Sequence, residues 1–270
     1  MHSLIFLEGI PGSGKSTLLQ FLSERFPSVP AYREGDLSPI ELAWCSELSI
    51  PAYETLRSRY PALDAEIRAH SRQEGERMHV AYTQIRTDDP AFYAEWEQYE
   101  IYSGRRDPAE FRDILLRRYQ AYAEEQRRAF TPAIFECSLF QNSIEEWMLH
   151  ICPPEEEIFR FYREVFSRFA GVPLTLIRLI PQDMARSIDA ICRERVNEQG
   201  EEIWYQMMMD YLNGSAYGRR HPFRTREDLL AHFRRRTDLE RRIIADCFPG
   251  KYLELESRAY DPEAILAELQ

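Results

Sequence analysis

Eight residues close to the N-terminus have the types and the spacing needed to hold the phosphates of a nucleotide. The segment Gly9–Ser16 reads GIPGSGKS and fits G-x-x-x-x-G-K-[ST], the Walker A pattern of a phosphate-binding loop (P-loop). In such a loop, backbone N–H groups surround the β-phosphate, the lysine reaches the β- and γ-phosphates, and the final hydroxyl ligates Mg²⁺. The pattern therefore predicts that ATP and Mg²⁺ bind here, with the nucleotide held by Gly9, Pro11, Gly12, Ser13, Gly14, Lys15, Ser16 and Thr17.

Lysine is rare in this chain, and this makes the lysine of the loop more informative. Lys15 and Lys251 are the two lysines among 34 basic residues, so arginine supplies nearly all of the positive charge. A compact ammonium fits between phosphate oxygens, where a planar guanidinium fits poorly. We therefore expect Lys15 to act in catalysis as well as in binding.

The patterns on both sides of the loop place it between a strand and a helix. Residues 2–8 form a short apolar run typical of a buried strand, and apolar residues spaced by three and four predict a helix after Lys15. Four more short strands follow, separated by long helical stretches, at Val29–Arg33, Ala133–Glu136, Leu174–Leu179 and Lys251–Leu255. This alternation predicts an α/β fold of three layers, in which helices cover both faces of a five-stranded parallel sheet.

Length and pattern predict one domain over residues 1–270. Residues of about 38–130, between the second and third strands, are rich in charged and aromatic side chains and are predicted to form a long helical insert. Residues of about 184–220 follow the fourth strand, and we expect them to form a lid-like segment.

Carboxylates come directly after two of the predicted strands, at the sheet edge where open α/β folds bind their ligands. Glu136 ends the third strand and is predicted to hold Mg²⁺ together with Ser16. Its alternative roles are to cap the next helix or to pair with an arginine. Glu34 and Asp36 follow the second strand, and either could accept the proton of a hydroxyl that attacks the γ-phosphate. Asp36 could instead cap a helix around Pro39–Glu47.

Two further groups of residues are candidates for the site. Arg193 and Arg195 form an R-x-R pair in the lid-like segment and could neutralise charge on the transferring phosphoryl group, or could pair with nearby carboxylates in solvent. Tyr82, Gln84 and Arg86 are candidates for contacts with the acceptor. The aromatic stripe from Phe92 to Tyr99 has helical spacing, and this favours packing over binding.

Composition excludes several classes of protein. A net charge of −11 and a pI near 5.2 argue against sequence-independent binding of nucleic acid. The five cysteines lack C-x-x-C spacing, which is typical of reduced thiols in a cytoplasmic protein. The N-terminal apolar run is too short for a signal peptide, and no run approaches a membrane span. We therefore expect a cytoplasmic protein that binds neither nucleic acid nor membrane and could form a homodimer.

In several motifs the chain resembles the P-loop kinases of nucleosides and nucleotides, within the P-loop NTPase superfamily, and most of all the deoxynucleoside kinase and thymidylate kinase branch. The resembling residues are those leading into the P-loop, Glu34 after the second strand, Glu136 in FECS, and the arginines of Arg193–Arg195. The resemblance implies a sheet order of 2-3-1-4-5, Glu34 as the base, Glu136 near magnesium, and Arg193 and Arg195 on phosphates. Cys137 departs from the family, which has arginine there, so one charge contact is absent or comes from elsewhere.

Together these features predict an ATP-dependent kinase that moves the γ-phosphoryl group to a hydroxyl or phosphate of a small molecule, with a nucleoside-like or nucleotide-like acceptor favoured. The alternative is a P-loop ATPase or nucleotide-binding switch that acts on a protein partner. Resemblance at this level implies a fold and a reaction class, and leaves the acceptor open.

Overall fold

A computed structural model describes residues 2–269 of the chain. The strands in this range are β1 (Leu4–Gly9), β2 (Ala31–Tyr32), β3 (Ser46–Ser49), β4 (Ser71–Glu74), β5 (Arg77–Val80), β6 (Ile134–Glu136), β7 (Leu174–Ile180) and β8 (Lys251–Glu256). The α-helices are α1 (Lys15–Arg25), α2 (Ile50–Arg57), α3 (Asp64–Ala69), α4 (Pro90–Glu97), α5 (Pro108–Arg128), α6 (Gln141–Glu145), α7 (Glu155–Arg168), α8 (Met184–Glu194), α9 (Trp204–Gly214), α10 (Ala216–Arg220), α11 (Arg226–Cys247) and α12 (Pro262–Leu269). A π-helical turn, Glu146–Ile151, continues α6.

The main sheet has five strands, all parallel, in the order β2-β6-β1-β7-β8. Numbered by their appearance in the chain, these five strands lie in the order 2-3-1-4-5. The central strand β1 is buried along its whole length, which explains why its sequence is a continuous apolar run and not an alternating one. The carboxyl ends of β1, β2 and β6 therefore meet at one edge of the sheet.

Helices cover both faces of this sheet, because the side chains of β1 alternate between two apolar cores. Ile5 and Leu7 pack with residues of α1 and α12, whereas Leu4 and Phe6 pack with residues of α5, α7 and α11. This gives the three layers that the sequence predicts. A third core joins Ile10 to α8, α9 and α11, so the lid-like segment is packed beside the P-loop.

The insert between β2 and β6 is mixed, and the prediction of a helical insert over about 38–130 needs correction. It contains α2–α5, but also a three-stranded antiparallel sheet in the order β3-β5-β4, with its own core around Trp96. No helix forms at Pro39–Glu47, where the described chain is a loop that leads into β3. The three strands are four residues long and largely polar, so they have no period to detect, and pairing across the insert creates them.

None of the described helices combines the length and the apolar character that a bilayer span requires.

Candidate active site

The P-loop follows β1 in a conformation that depends on its glycines. Gly9, Gly12 and Gly14 have φ angles of 150°, 75° and 98°, values that residues with a Cβ rarely adopt. A Cβ on Gly9 would lie 2.5 Å from the carbonyl oxygen of Leu179, so the loop also needs glycine for close approach to β7. Gly14 precedes α1 with no side-chain cap, which leaves the first N–H groups of the helix free for an anion.

Lys15 and Ser13 supply two polar groups whose arrangement fits a phosphate. The Lys15 ammonium is buried and donates to the carbonyl oxygens of Gly9 and Ile10, both at 3.0 Å. The Ser13 hydroxyl is buried and has no hydrogen-bond partner in the described part of the chain. A buried hydroxyl without a partner is costly, and a phosphate oxygen in the loop would satisfy it.

Ser16 and Glu136 meet at the start of α1, although 120 residues separate them in the sequence. The Ser16 hydroxyl donates to Oε1 of Glu136 at 2.5 Å. A hydroxyl beside a carboxylate is an oxygen-donor pair of the kind that Mg²⁺ takes when phosphates supply further ligands. No group of three or more histidine, cysteine, aspartate or glutamate residues able to hold a metal lies within residues 2–269.

A cavity of about 1090 Å³ opens from the P-loop toward the insert. Its wall brings together segments from the whole chain: Pro11–Thr17, Glu34, Trp44, Glu136, Gln141, Asn142, Glu145, Ile191, Glu194, Arg195, Trp204, Met207, Met208, Tyr211, Phe233, Arg236, Arg258 and Tyr260. The phosphate-binding loop and several of the sequence-predicted carboxylate and arginine positions thus share one space.

Glu34 lies in the wall of this cavity, and Asp36 does not. Both oxygens of Glu34 accept from Nε2 of Gln141 at 3.0 Å, and Oε1 also accepts from Nε1 of Trp44 at 3.1 Å. Asp36 instead accepts from the backbone N–H of Arg33 at 2.7 Å and from Nε2 of Gln84 at 2.6 Å. The geometry therefore favours Glu34 over Asp36 as a group that faces a ligand.

A buried carboxylate on β1 fixes the position of Gln141 and so of Glu34. Glu8 is fully buried and accepts from the backbone N–H groups of Leu139, Phe140 and Gln141 at 2.7, 3.1 and 3.1 Å. Burial raises the pKa of Glu8 to about 7, against the lowering effect of these hydrogen bonds. The sequence pattern did not single out Glu8 for this role, since it reads as the last residue of a strand.

The two arginines of the R-x-R pair differ in position. Both are exposed, but Arg195, which directly follows α8, lies in the cavity wall, whereas Arg193, in the last turn of α8, lies outside it. The carboxylates close to them in sequence have other partners, because Asp189 pairs with Arg226 and Glu194 pairs with Arg258.

Arg258 is a cation of the site that sequence reasoning missed. Its Nε donates to the carbonyl oxygen of Gly12 at 2.7 Å, and one terminal nitrogen donates to Oε2 of Glu194 at 2.7 Å. It follows β8 with φ at 62°, a strained value for arginine. Arg258 thereby ties the P-loop to α8, and only its place after a strand of the parallel sheet could have pointed to it.

Arg236 is a second missed cation, and it lies beneath the P-loop. Its guanidinium is buried and donates to Glu240 at 2.8 Å, to Glu145 at 3.0 Å and to the carbonyl oxygen of Gly9 at 3.2 Å. Burial alone would raise the pKa of Glu145, but His232 and Arg236 override it and hold the pKa at about 2. This buried ion-pair network contacts the P-loop through the hydrogen bond from Arg236 to Gly9.

The structure does not bring Tyr82, Gln84 and Arg86 to the cavity. Tyr82 is buried in the core of the insert and donates a hydrogen bond to Glu100 at 2.6 Å. Nε2 of Gln84 donates to Asp36 and to the backbone oxygen of Gly35. Arg86 is exposed. Large apolar and aromatic side chains of the cavity wall come instead from Trp44, Trp204, Met207, Met208 and Tyr211.

Comparisons with known proteins identify no family for this chain. No family model matches it, and no curated protein matches it. A sugar kinase from Janibacter sp. HTCC2649, solved without ligand, is 12% identical and has a TM-score of 0.36, over 100% of this chain and 92% of that one. A similarity at this TM-score carries no argument about the site.

Proposed function

We propose that this chain is a P-loop kinase of the three-layer fold, which transfers the γ-phosphoryl group of ATP to a hydroxyl of a small molecule. The observation that carries the proposal is the single cavity in whose wall both the P-loop and Glu34 lie. A P-loop by itself predicts nucleotide binding, whereas a carboxylate facing the same space supplies a base for an acceptor.

Donor binding rests on the P-loop and on α1. The phosphates would be surrounded by the N–H groups of the loop, the free N-terminus of α1, Lys15 and the hydroxyl of Ser13. Lys15 now bonds two carbonyl oxygens of its own loop, and these bonds would be exchanged for phosphate oxygens on binding. Ser16 and Glu136 would hold Mg²⁺, which supplies positive charge to the β- and γ-phosphates.

Transfer follows from the position of Glu34. An acceptor hydroxyl hydrogen-bonded to Glu34 loses its proton to that carboxylate as its oxygen attacks the γ-phosphorus atom. The new O–P bond forms while the bond to the bridging oxygen of ADP breaks, so the proton stays on Glu34 and ADP leaves. Gln141 and Trp44 hold Glu34 in a fixed orientation during this step, which lowers the entropy cost of alignment.

The cations of the loop region offset the charge on the transferring group. Lys15 and Arg195 lie in the wall with free capacity to donate, and Arg258 adjoins them through its bond to Gly12. Arg193 would have to move with the end of α8 to reach the same space, and we assign it a smaller part.

The proposal is tested with purified protein, ATP, Mg²⁺ and a panel of hydroxyl-bearing metabolites. ADP release that depends on the acceptor, with a phosphorylated product seen by mass spectrometry, would support a kinase. ADP release that is independent of every acceptor and stimulated by a protein partner would instead support the ATPase or switch alternative.

A further inference from the structure

We infer that the acceptor carries a protonated amine, and that the end of the cavity near Trp44 binds this ammonium while Glu34 receives the hydroxyl. The substrate class is an amino alcohol with several hydroxyl groups, such as an amino sugar or an aminocyclitol. The inference rests on the proposed kinase function and names the substrate of that same site.

The first support is the separation of charge along the cavity. Each cation in its wall is tied to the P-loop end: Lys15 belongs to the loop, Arg236 bonds Gly9, Arg258 bonds Gly12, and Arg195 adjoins the Glu194 that pairs with Arg258. The end near Trp44 holds no cation in the described part of the wall. Arg105 is close enough to act on Glu100 and Glu146, but it pairs with Glu97 and is not in the wall. A phosphorylated acceptor would therefore meet no cation in this part of the wall.

The second support is a recess that continues the cavity at this end. It has a volume of about 40 Å³, shares Trp44, Asn142 and Tyr211 with the main cavity, and has Glu100 and Glu146 in its wall. About 10–15 Å³ of such space is enough for one water molecule, so the recess can admit a group of the size of an ammonium.

The carboxylates at this end lack a basic partner. Among the described residues, Glu34, Glu100 and Glu146 form no ion pair with lysine, arginine or histidine, whereas Glu145 and Glu194 each do. Glu146 accepts only from the backbone N–H groups of Ser103 and Gly104, at 2.6 and 2.9 Å. Burial raises the pKa of both Glu100 and Glu146 to about 7, against the lowering effect of their hydrogen bonds and of Arg105, and a bound cation would offset the cost of that burial.

Aromatic side chains complete the site in a way that suits both an ammonium and a sugar-like ring. Trp44 and Tyr211 are 48% and 37% exposed, unusually high values for large side chains, and both line the cavity and the recess. Aromatic faces attract cations and pack against C–H faces. The Oε1 atom of Gln141, also in the wall, is buried without a hydrogen-bond partner in the described chain and could accept from an ammonium or hydroxyl.

The test compares acceptors that differ only at the amine. Kanamycin and glucosamine are compared with their N-acetylated forms, and thymidine and thymidine monophosphate serve as neutral and anionic acceptors. Turnover is measured by ADP release, and binding is measured by calorimetry in the presence of a non-hydrolysable ATP analogue. We expect an amine probe to exceed its acetylated form by about 10-fold to 100-fold in kcat/KM or affinity, the range of a charge-assisted hydrogen bond.

Variants connect the preference to the recess. Glu146→Gln is expected to reduce the ratio of kcat/KM or affinity between the amine and its acetylated form to below about 3-fold. Trp44→Asn is expected to weaken binding of both forms, and asparagine is chosen because it tolerates the positive φ of 60° at this position. Glu95→Gln, on the surface beside Arg59, is the matched control and should leave the ratio unchanged.

The outcomes separate the two proposals. Phosphorylation of thymidine in preference to every amine would overturn the inference and leave the kinase proposal standing. Phosphorylation of thymidine monophosphate on its phosphate would overturn the inference and change the acceptor group from a hydroxyl to a phosphate. Binding of the amines without phosphorylation of any acceptor would support the ammonium site and count against the kinase. If the ATP analogue binds but no amine does, the ammonium site is wrong.

Discussion

Glu145 and Glu146 are neighbours in the sequence, yet Glu145 lies in the wall of the main cavity, Glu146 lies in the wall of the recess, and their pKa values shift in opposite directions. Glu145 bonds Arg236 and His232, and its pKa is held at about 2 despite burial, whereas burial raises the pKa of Glu146 to about 7 against the smaller lowering effects of two backbone hydrogen bonds and of Arg105. Glu145 is the last residue of α6 and Glu146 is the first of the π-helical turn, and their side chains bond different parts of the chain, Arg236 and His232 for Glu145 and the backbone of Ser103 and Gly104 for Glu146. Glu145 is thus paired with cations, whereas Glu146 forms no ion pair in the described part of the chain.

This difference indicates what each end can bind. The P-loop end combines free N–H groups, Lys15 and paired arginines, a set that suits a polyanion. The other end combines aromatic faces with unpaired carboxylates, a set that suits a neutral or cationic partner. The following changes test this contrast.

The largest effect is expected at Lys15. Lys15→Ala should lower turnover by about 1000-fold or more, because the β- and γ-phosphates lose the buried ammonium that offsets their charge. Steady-state ADP release checks this. The chain offers a matched control in Lys251→Ala, since Lys251 is half exposed and pairs with Glu268 far from the cavity; a comparable loss in that variant would contradict the special role of Lys15.

Glu34→Gln should lower turnover by about 100-fold to 1000-fold while ATP binding stays unchanged, because the amide keeps the shape of the side chain but cannot take the proton. Single-turnover kinetics and ATP affinity are measured on the same samples. Asp36→Asn is the comparison, since Asp36 lies outside the cavity and bonds Gln84. If Asp36→Asn removes turnover and Glu34→Gln does not, Asp36 is the base.

The two neighbouring glutamates should respond differently in stability. Glu145→Gln removes the buried carboxylate that pairs with both Arg236 and His232, so that Arg236 keeps only Glu240 as a charge partner, and we expect the free energy of unfolding at pH 7 to fall by about 3 kcal/mol. Glu146→Gln removes a carboxylate whose burial is unfavourable and loses one hydrogen bond, so a change below about 1 kcal/mol is expected. Urea denaturation of both variants checks this, and equal losses would mean that the two ends do not differ.

The same contrast gives a dependence on pH. The pKa of Glu145 is about 2 in the folded chain, below the value of 4.5 that it has without these contacts. Its contribution to the free energy of unfolding is therefore present above pH 4.5 and is lost as the pH falls toward 2. Denaturant midpoints between pH 5 and pH 2.5 should fall less steeply in Glu145→Gln than in the unaltered chain. Equal dependence of the midpoint on pH in the two proteins would contradict the pairing of Glu145 with Arg236 and His232.

The smallest effect concerns the R-x-R pair. Arg195→Ala should lower kcat by about 10-fold, the loss of one charge-assisted hydrogen bond, and Arg193→Ala should lower it by less than about 2-fold because Arg193 lies outside the cavity wall. The ratio of the two kcat values is the measurement. A larger loss for Arg193 would indicate that the end of α8 moves over the phosphates.

Much of the sheet could be predicted from the sequence. The five strands of the parallel sheet begin and end within two residues of their predicted bounds, and the helix after the P-loop is present. These elements are coded locally, by apolar runs with turn residues at their ends. The antiparallel sheet of the insert could not be predicted in this way, because its short polar strands exist only through pairing with each other.

The sequence by itself determined the phosphate-binding loop, because Gly9–Ser16 is contiguous and its function depends on backbone conformations that glycine alone adopts easily. Only the tertiary structure decided the rest of the cavity. Arg236 and Arg258 reach the loop across more than two hundred residues, and Glu34, Trp44, Glu146 and Tyr211 meet through packing of separate segments. The charge of such a site depends on which partner each carboxylate finds, and neighbouring residues such as Glu145 and Glu146 carry no local signal of that choice.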